Sequence, residues 1–181
     1  FVLFYRLTFK KPSMNLFNFL PFLILFICCS GSENSSVAFQ DENDLALEEV
    51  FFITQNIEGV QVQREVLLHI PEDFDSSQIY PVVIAFHGNG GQNNSWLLKL
   101  SQFVDAGEFI GVYPQGHLNS WNLGAEASTA DDVYFFNQIM QKIETYSFFD
   151  ASKVYGIGIS NGSALINKLA IETSHFSAIA A

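Results

Sequence analysis

The chain has 181 residues, 49% of them hydrophobic, and carries 8 Lys and Arg against 19 Asp and Glu, a net charge of −11. That balance excludes nucleic acid as a partner, because no basic stripe is present to neutralise phosphates, and the apolar content excludes a disordered chain. Two Cys and four His show no metal-finger spacing and cannot staple a small fold, so neither a metal nor a cofactor is expected.

Charge is unevenly placed. Residues 1–29 hold Arg6, Lys10 and Lys11 and no acid, whereas the remainder sets five Lys and Arg against nineteen acids, a net of −14. The basic pair precedes an apolar run from Phe19 to Cys29, the layout of an export signal and too short to span a bilayer comfortably. Phe1 is not an initiator; Met14 is a candidate start, although starting there would lose the basic pair. Cys28 and Cys29 close the run just before Ser30-Gly-Ser-Glu-Asn. This resembles a bacterial lipoprotein signal and makes Cys29 the candidate for lipidation and a membrane tether. Plain secretion and an uncleaved anchor stay open beside it, and all three imply an exported protein. Residues 30–50, rich in Ser, Asn, Asp and Glu, predict a solvated tether, so the folded domain is expected over 51–181.

Within that domain, 49–54 and 60–70 read as strands from their alternating or β-branched apolar residues. Pro81 to Phe86 is a continuous apolar run, as in a strand buried on both faces. Gly88 to Asn94 is turn-rich, and Ser95 predicts a cap for a helix carrying Trp96, Leu97, Leu100 and Phe103. A strand follows at 109–113. Val133, Phe136, Met140 and Ile143 then recur at helical spacing behind Asp131 and Asp132, acids that suit a helix N-terminus. Lys153 to Ile159 reads as a buried strand, 161–172 as a helix, and 176–181 as the start of another strand. Alternating strands and helices predict an α/β fold, a mostly parallel sheet with helices on both faces.

Gly158-Ile-Ser-Asn-Gly162 matches G-x-S-x-G at a strand-to-helix junction, the setting a nucleophile elbow needs. The glycines permit a sharp turn that holds Ser160 clear of the sheet, at a helix end whose dipole favours a developing oxyanion. His87-Gly-Asn-Gly-Gly91, directly after an apolar strand, has the glycine-rich backbone able to aim an amide at that oxyanion. The backbone amides of Asn161 and Asn89 are the candidate donors, with His87 and Gly88 supporting the loop. Trp96, Tyr113 and Trp121 are candidates for lining an acyl pocket, with aromatic core packing the default for each.

These motifs occur in order with Arg64 to His87, Val112-Tyr-Pro-Gln115, Ser120-Trp-Asn122, Asp131-Asp-Val133 and Lys153 to Gly162. Together they resemble the polyhydroxybutyrate depolymerase and feruloyl esterase branch of the α/β-hydrolases, over about residues 60–181. Tyr134 and Ser163 depart from the family pattern without touching the nucleophile. The resemblance implies a serine esterase acting on polymeric or small-molecule esters through an acyl-enzyme on Ser160.

A serine nucleophile also needs a base and an orienting acid, which in α/β-hydrolases follow it in the chain. Only Glu172 and His175 follow here. A helix over 161–172 rises about 18 Å, which carries His175 away from Ser160. The order His87, Asp131 or Asp132, Ser160 belongs to paired β-barrels, and the strand–helix alternation excludes it. Asp131 and Asp132 are expected to cap a helix, His117 to sit in a solvated loop or at the substrate mouth, and His69 to play no part. The hydrolase fold is therefore expected to be incomplete at its carboxyl side and the 181-residue chain inactive by itself. A non-catalytic surface binding lipoprotein, and a peptidase or acyltransferase on the same fold, are the alternative readings.

Overall fold

The computed structural model describes residues 49–181. The leader at 1–29, Cys29 included, and the tether up to residue 48 lie outside the described residues. The domain opens with an antiparallel hairpin, β1 (Val50–Ile57) and β2 (Val60–His69). Glu58 and Gly59 turn it with positive φ, 52° and 86°, the pattern whose twist matches that of the strands. Asn56 Oδ1 accepts the Gly59 N–H at 2.9 Å. The first strand thus runs three residues past Thr54, because a Glu in left-handed conformation is a weak turn signal by sequence.

Strands β3 (Tyr80–Phe86), β4 (Ile110–Pro114), β5 (Phe149–Gly158) and β6 (Ala178–Ala180) follow, connected through helices α1 (Leu97–Asp105), α2 (Asp132–Ile143) and α3 (Asn161–Glu172). Spatial order is β1-β2-β4-β3-β5-β6. β3 pairs in parallel with β4 and β5, and β5 with β6, while β2 joins β4 antiparallel. The expected α/β sheet is therefore present, with an antiparallel hairpin on one edge. The chain leaves β3 toward β4 and then crosses back to β5, so right-handed crossovers must put α1 on one face and α2 and α3 on the other.

Packing follows that geometry. Ile84 and Phe86 point into a core with Phe136, Met140 and Ile143 of α2 and Leu165, Ile166 and Leu169 of α3. Ala85, the intervening residue, faces the opposite side with Trp96 and Tyr113. Ser95 does not cap α1. A 3-10 turn over Asn93–Trp96 leads into the helix, whose N-cap is Trp96 with no side-chain cap bond. Among the described residues, no helix is long and apolar enough to cross a membrane.

Candidate active site

The strand order reverses at β3, which opens a crevice at the carboxyl ends of β3 and β5, where open α/β sheets bind their ligands. Ser160 stands there, exposed, at the junction of β5 and α3. Its backbone is at φ 55°, ψ −117°, sparsely populated space that costs a non-glycine residue about 1–3 kcal/mol. Ser160 is the N-cap of α3, yet its side chain makes no capping bond. The hydroxyl remains free beside the positive end of the helix dipole.

The flanking glycines make that turn possible by close approach. A Cβ on Gly158 would lie 2.6 Å from the Gly162 carbonyl carbon, and one on Gly162 would lie 2.6 Å from the His87 oxygen and closer still to that of Phe86. Ser163, where the family pattern has a smaller residue, turns its Oγ back to the Gly158 carbonyl at 2.8 Å.

The loop after β3 packs on this elbow. A Cβ on Gly88 would sit 3.5 Å from the Ser160 Cβ and 3.2 Å from the Ile159 oxygen. His87, 2% exposed, ties the loop from beneath. Its Nε2 accepts the Gly116 N–H at 3.0 Å, so the neutral ring carries its proton on Nδ1, which donates to the Gly88 carbonyl at 2.8 Å. Burial holds His87 below the ordinary imidazole pKa, and nearby Arg64 adds to the effect while Asp132 opposes it. Gln115 Nε2 meets His87 Nε2 at 3.1 Å, and Gln115 Oε1 accepts the Asn93 N–H at 3.0 Å.

Asn161 contributes more than its backbone. Its Oδ1 accepts the Trp121 N–H at 2.8 Å, and its Nδ2 donates to the Trp121 carbonyl at 3.1 Å and to Glu126 Oε1 at 3.3 Å. Trp121 Nε1 in turn donates to the His87 carbonyl at 2.7 Å. The segment after β4 thereby binds both the elbow and the glycine loop. No sequence pattern announced this clamp, because Asn161 was singled out only for its amide.

Beneath lies a second feature that spacing did not reveal. Arg64 and Asp132 pair at 2.8 Å with both side chains 1% exposed. Arg64 also donates to Gln55 Oε1 and the Gln115 carbonyl and lies 3.6 Å from the Phe135 ring centroid. Burial pushes the Asp132 carboxyl up and the Arg64 guanidinium down, and their mutual attraction opposes both. A guanidinium does not give up its proton in proteins, so Asp132 faces a fixed positive charge. Asp131 caps α2 by accepting the Tyr134 N–H at 2.9 Å, whereas Asp132 turns inward to Arg64 and the Asn122 N–H.

The remaining candidates fall elsewhere. Tyr113, Trp121 and Trp96 are buried, at 0%, 0% and 3% exposure; of the two readings core packing holds and pocket lining does not, since the sheet and α1 cover Tyr113 and Trp96 and the loop network encloses Trp121. His117 meets Ser128 Oγ at 3.3 Å, and His69 meets the Tyr113 hydroxyl at 3.1 Å. His175 packs edge-on to Phe136 and contacts Asn137 Oδ1 at 3.1 Å. Among the described residues, no histidine is hydrogen-bonded to Ser160. A cleft of about 720 Å³ lies between the segment 122–134 and Asn137 of α2, Lys168 and Glu172 of α3. Lys168 is two helical turns beyond the serine, about 12 Å along the axis, and neither a serine nor a cysteine lines the cleft. The chemistry is therefore read from the elbow.

A serine on a strained strand-to-helix turn, beside a glycine-rich loop at the point of strand reversal, defines the α/β-hydrolase fold. Within that fold, the chain is similar in sequence to feruloyl esterases. It is similar to feruloyl esterase B of Thermothelomyces thermophilus, 26% identical over 134 residues that cover 69% of this chain and 44% of that protein. Probable feruloyl esterase C of Aspergillus terreus is 31% identical over 124 residues, 64% of this chain and 43% of that protein. Among solved structures, an acetyl xylan esterase from Aspergillus awamori superposes with TM-score 0.55 at 18% identity, covering 73% of this chain and 50% of that one. A ferulic acid esterase gives 0.54 at 20%, covering 72% and 58%. No family model matches the chain. The chain spans less than half the length of the two sequence relatives.

Proposed function

We propose that this chain is the nucleophile-bearing part of a serine esterase that hydrolyses carboxylic esters through an acyl-enzyme. The Ser160 Oγ attacks the ester carbonyl as its proton passes to a base. The tetrahedral oxyanion is held by the Asn161 and Asn89 amides, the alcohol departs with a proton, and water releases the acid. The observation that carries this reading is the φ 55°, ψ −117° backbone of a serine whose hydroxyl is left out of helix capping. Strain of that kind persists where the surroundings enforce it and clusters at active sites. Since no described histidine reaches Ser160, the base and its acid belong, in this proposal, to sequence beyond Ala181. Feruloyl and acetyl esters come ahead of polyhydroxyalkanoates as substrates, because feruloyl esterases are the sequence relatives and an acetyl xylan esterase shares the fold. Export, with Cys29 as the lipid attachment, is part of the same proposal.

The test is turnover of methyl ferulate and p-nitrophenyl acetate by the longer protein that contains this chain. Ser160→Ala should lower it by at least about a thousandfold. A folded longer protein that cleaves neither ester would overturn the enzyme reading and leave a binding role. The 181-residue chain alone should be no faster than its own Ser160→Ala variant.

A further inference from the structure

We infer that Gln115 is a positioning residue, acting through His87 to set the direction in which the Asn89 amide points. This rests on the esterase reading for its purpose, but the geometry stands without it. The Gly88 carbonyl and the Asn89 N–H belong to one planar trans peptide and point in opposite directions. Whatever holds the carbonyl therefore aims the N–H. The carbonyl is held twice, by His87 Nδ1 at 2.8 Å and by the Gly91 N–H at 2.9 Å.

The first of these bonds exists only while the imidazole proton sits on Nδ1. That tautomer is enforced at the other nitrogen, where Nε2 faces two donors, the Gly116 N–H at 3.0 Å and the Gln115 amide at 3.1 Å. A proton on Nε2 would confront both. The orientation of the Gln115 amide is itself decided by its oxygen, which accepts the buried Asn93 N–H at 3.0 Å, while its nitrogen is surrounded by the carbonyls of Gly116 and Gly91 and by Asn119 Oδ1. Four partners thus fix which end of Gln115 meets the ring. The charged groups acting on the ring are Arg64 and Asp132, which oppose one another.

The experiment is long-range 1H–15N NMR of the imidazoles in the full 181-residue chain, with residual dipolar couplings for the backbone. His87 should show a protonated Nδ1 and a bare Nε2 at neutral pH, without any substitution. In Gln115→Glu the carboxylate accepts where the amide donated, so the ring should gain a second proton. The new Nε2–H then opposes the Gly116 N–H and displaces the ring, which breaks the Nδ1–H bond to the Gly88 carbonyl, so the Asn89 coupling should change while those of α3 keep their values. A wild-type ring protonated on Nε2 overturns the inference. So does a Gln115→Glu chain, folded by circular dichroism, in which the His87 protonation state and the Asn89 coupling are unchanged. Neither readout needs turnover, so loss of the esterase reading would leave this result standing, and the reverse also holds.

Discussion

Asn161 grips the backbone of Trp121 from both sides, accepting its N–H at 2.8 Å and donating to its carbonyl at 3.1 Å. The residue after Ser160 is thus the clasp between the elbow and the segment that follows β4. Asn161→Ala leaves the backbone amide in place but strands the Trp121 N–H and carbonyl. The expected cost is about 1–3 kcal/mol, read as a lower urea midpoint with an unchanged slope. Stability equal to wild type would show that water replaces the clasp.

Breaking the Arg64–Asp132 pair should cost more. Arg64→Met leaves a buried carboxylate, and Asp132→Asn leaves a buried guanidinium; each is expected to lose about 3–5 kcal/mol. The double variant should lose clearly less than the sum, since neither charge is then orphaned. Denaturation of the four chains in a double-mutant cycle gives the coupling directly. Strict additivity would mean that the two groups do not act as a pair.

Stability should fall on mild acidification. His87 is held below the ordinary imidazole value of 6.5, first by burial, and His69 and His117 are lowered for the same first reason. In the unfolded chain these rings take up protons near the ordinary value; in the folded chain they resist. The unfolded state then binds more protons, so stability is full above about pH 6.5 and declines as pH drops toward the lower folded values. The acids held below their ordinary values, Asp75, Asp150 and Glu126, act only further down the scale. Urea midpoints at about pH 7.5 and about pH 5.5 should therefore differ, and His87→Asn should flatten the difference. A midpoint that does not move over this interval would contradict the burial of these rings.

The elbow should be more stable without a Cβ at position 160. Ser160→Gly removes the steric penalty at φ 55°, ψ −117°, worth about 1–3 kcal/mol, against an entropic cost of about 0.5–1 kcal/mol for glycine. Ser160→Ala keeps the Cβ and hence the strain. A melting comparison should place the Gly variant about 1 kcal/mol above the Ala variant. The opposite order would mean that the turn is not strained.

Much of this was legible in the residues. Each strand from Pro81 onward, the amphipathic α2 and the G-x-S-x-G turn announced themselves through local rules: periodicity, branched side chains, and glycines where backbones approach. Those rules operate within a few residues, so one sequence suffices to apply them, and they also yielded the α/β class and the position of Ser160. Register was less visible. The turn at Glu58–Gly59 was missed, and Ser95 looked like a cap until the 3-10 turn at Asn93–Trp96 displaced the helix start.

The sequence by itself determined where Ser160 stands and which loop lies opposite it. Only the tertiary structure decided what holds them together. Arg64 and Asp132, Gln115 and His87, and Asn161 and Trp121 are far apart in the chain, and no period or motif links them. Their partnership depends on β2, β4 and β5 lying in one sheet with α2 folded over it. Burial then gives each polar group a penalty that only its particular partner can relieve. The same dependence moved Tyr113 and Trp121 from candidate pocket walls to core, because whether an aromatic ring meets substrate or solid packing is settled by what the rest of the chain lays over it.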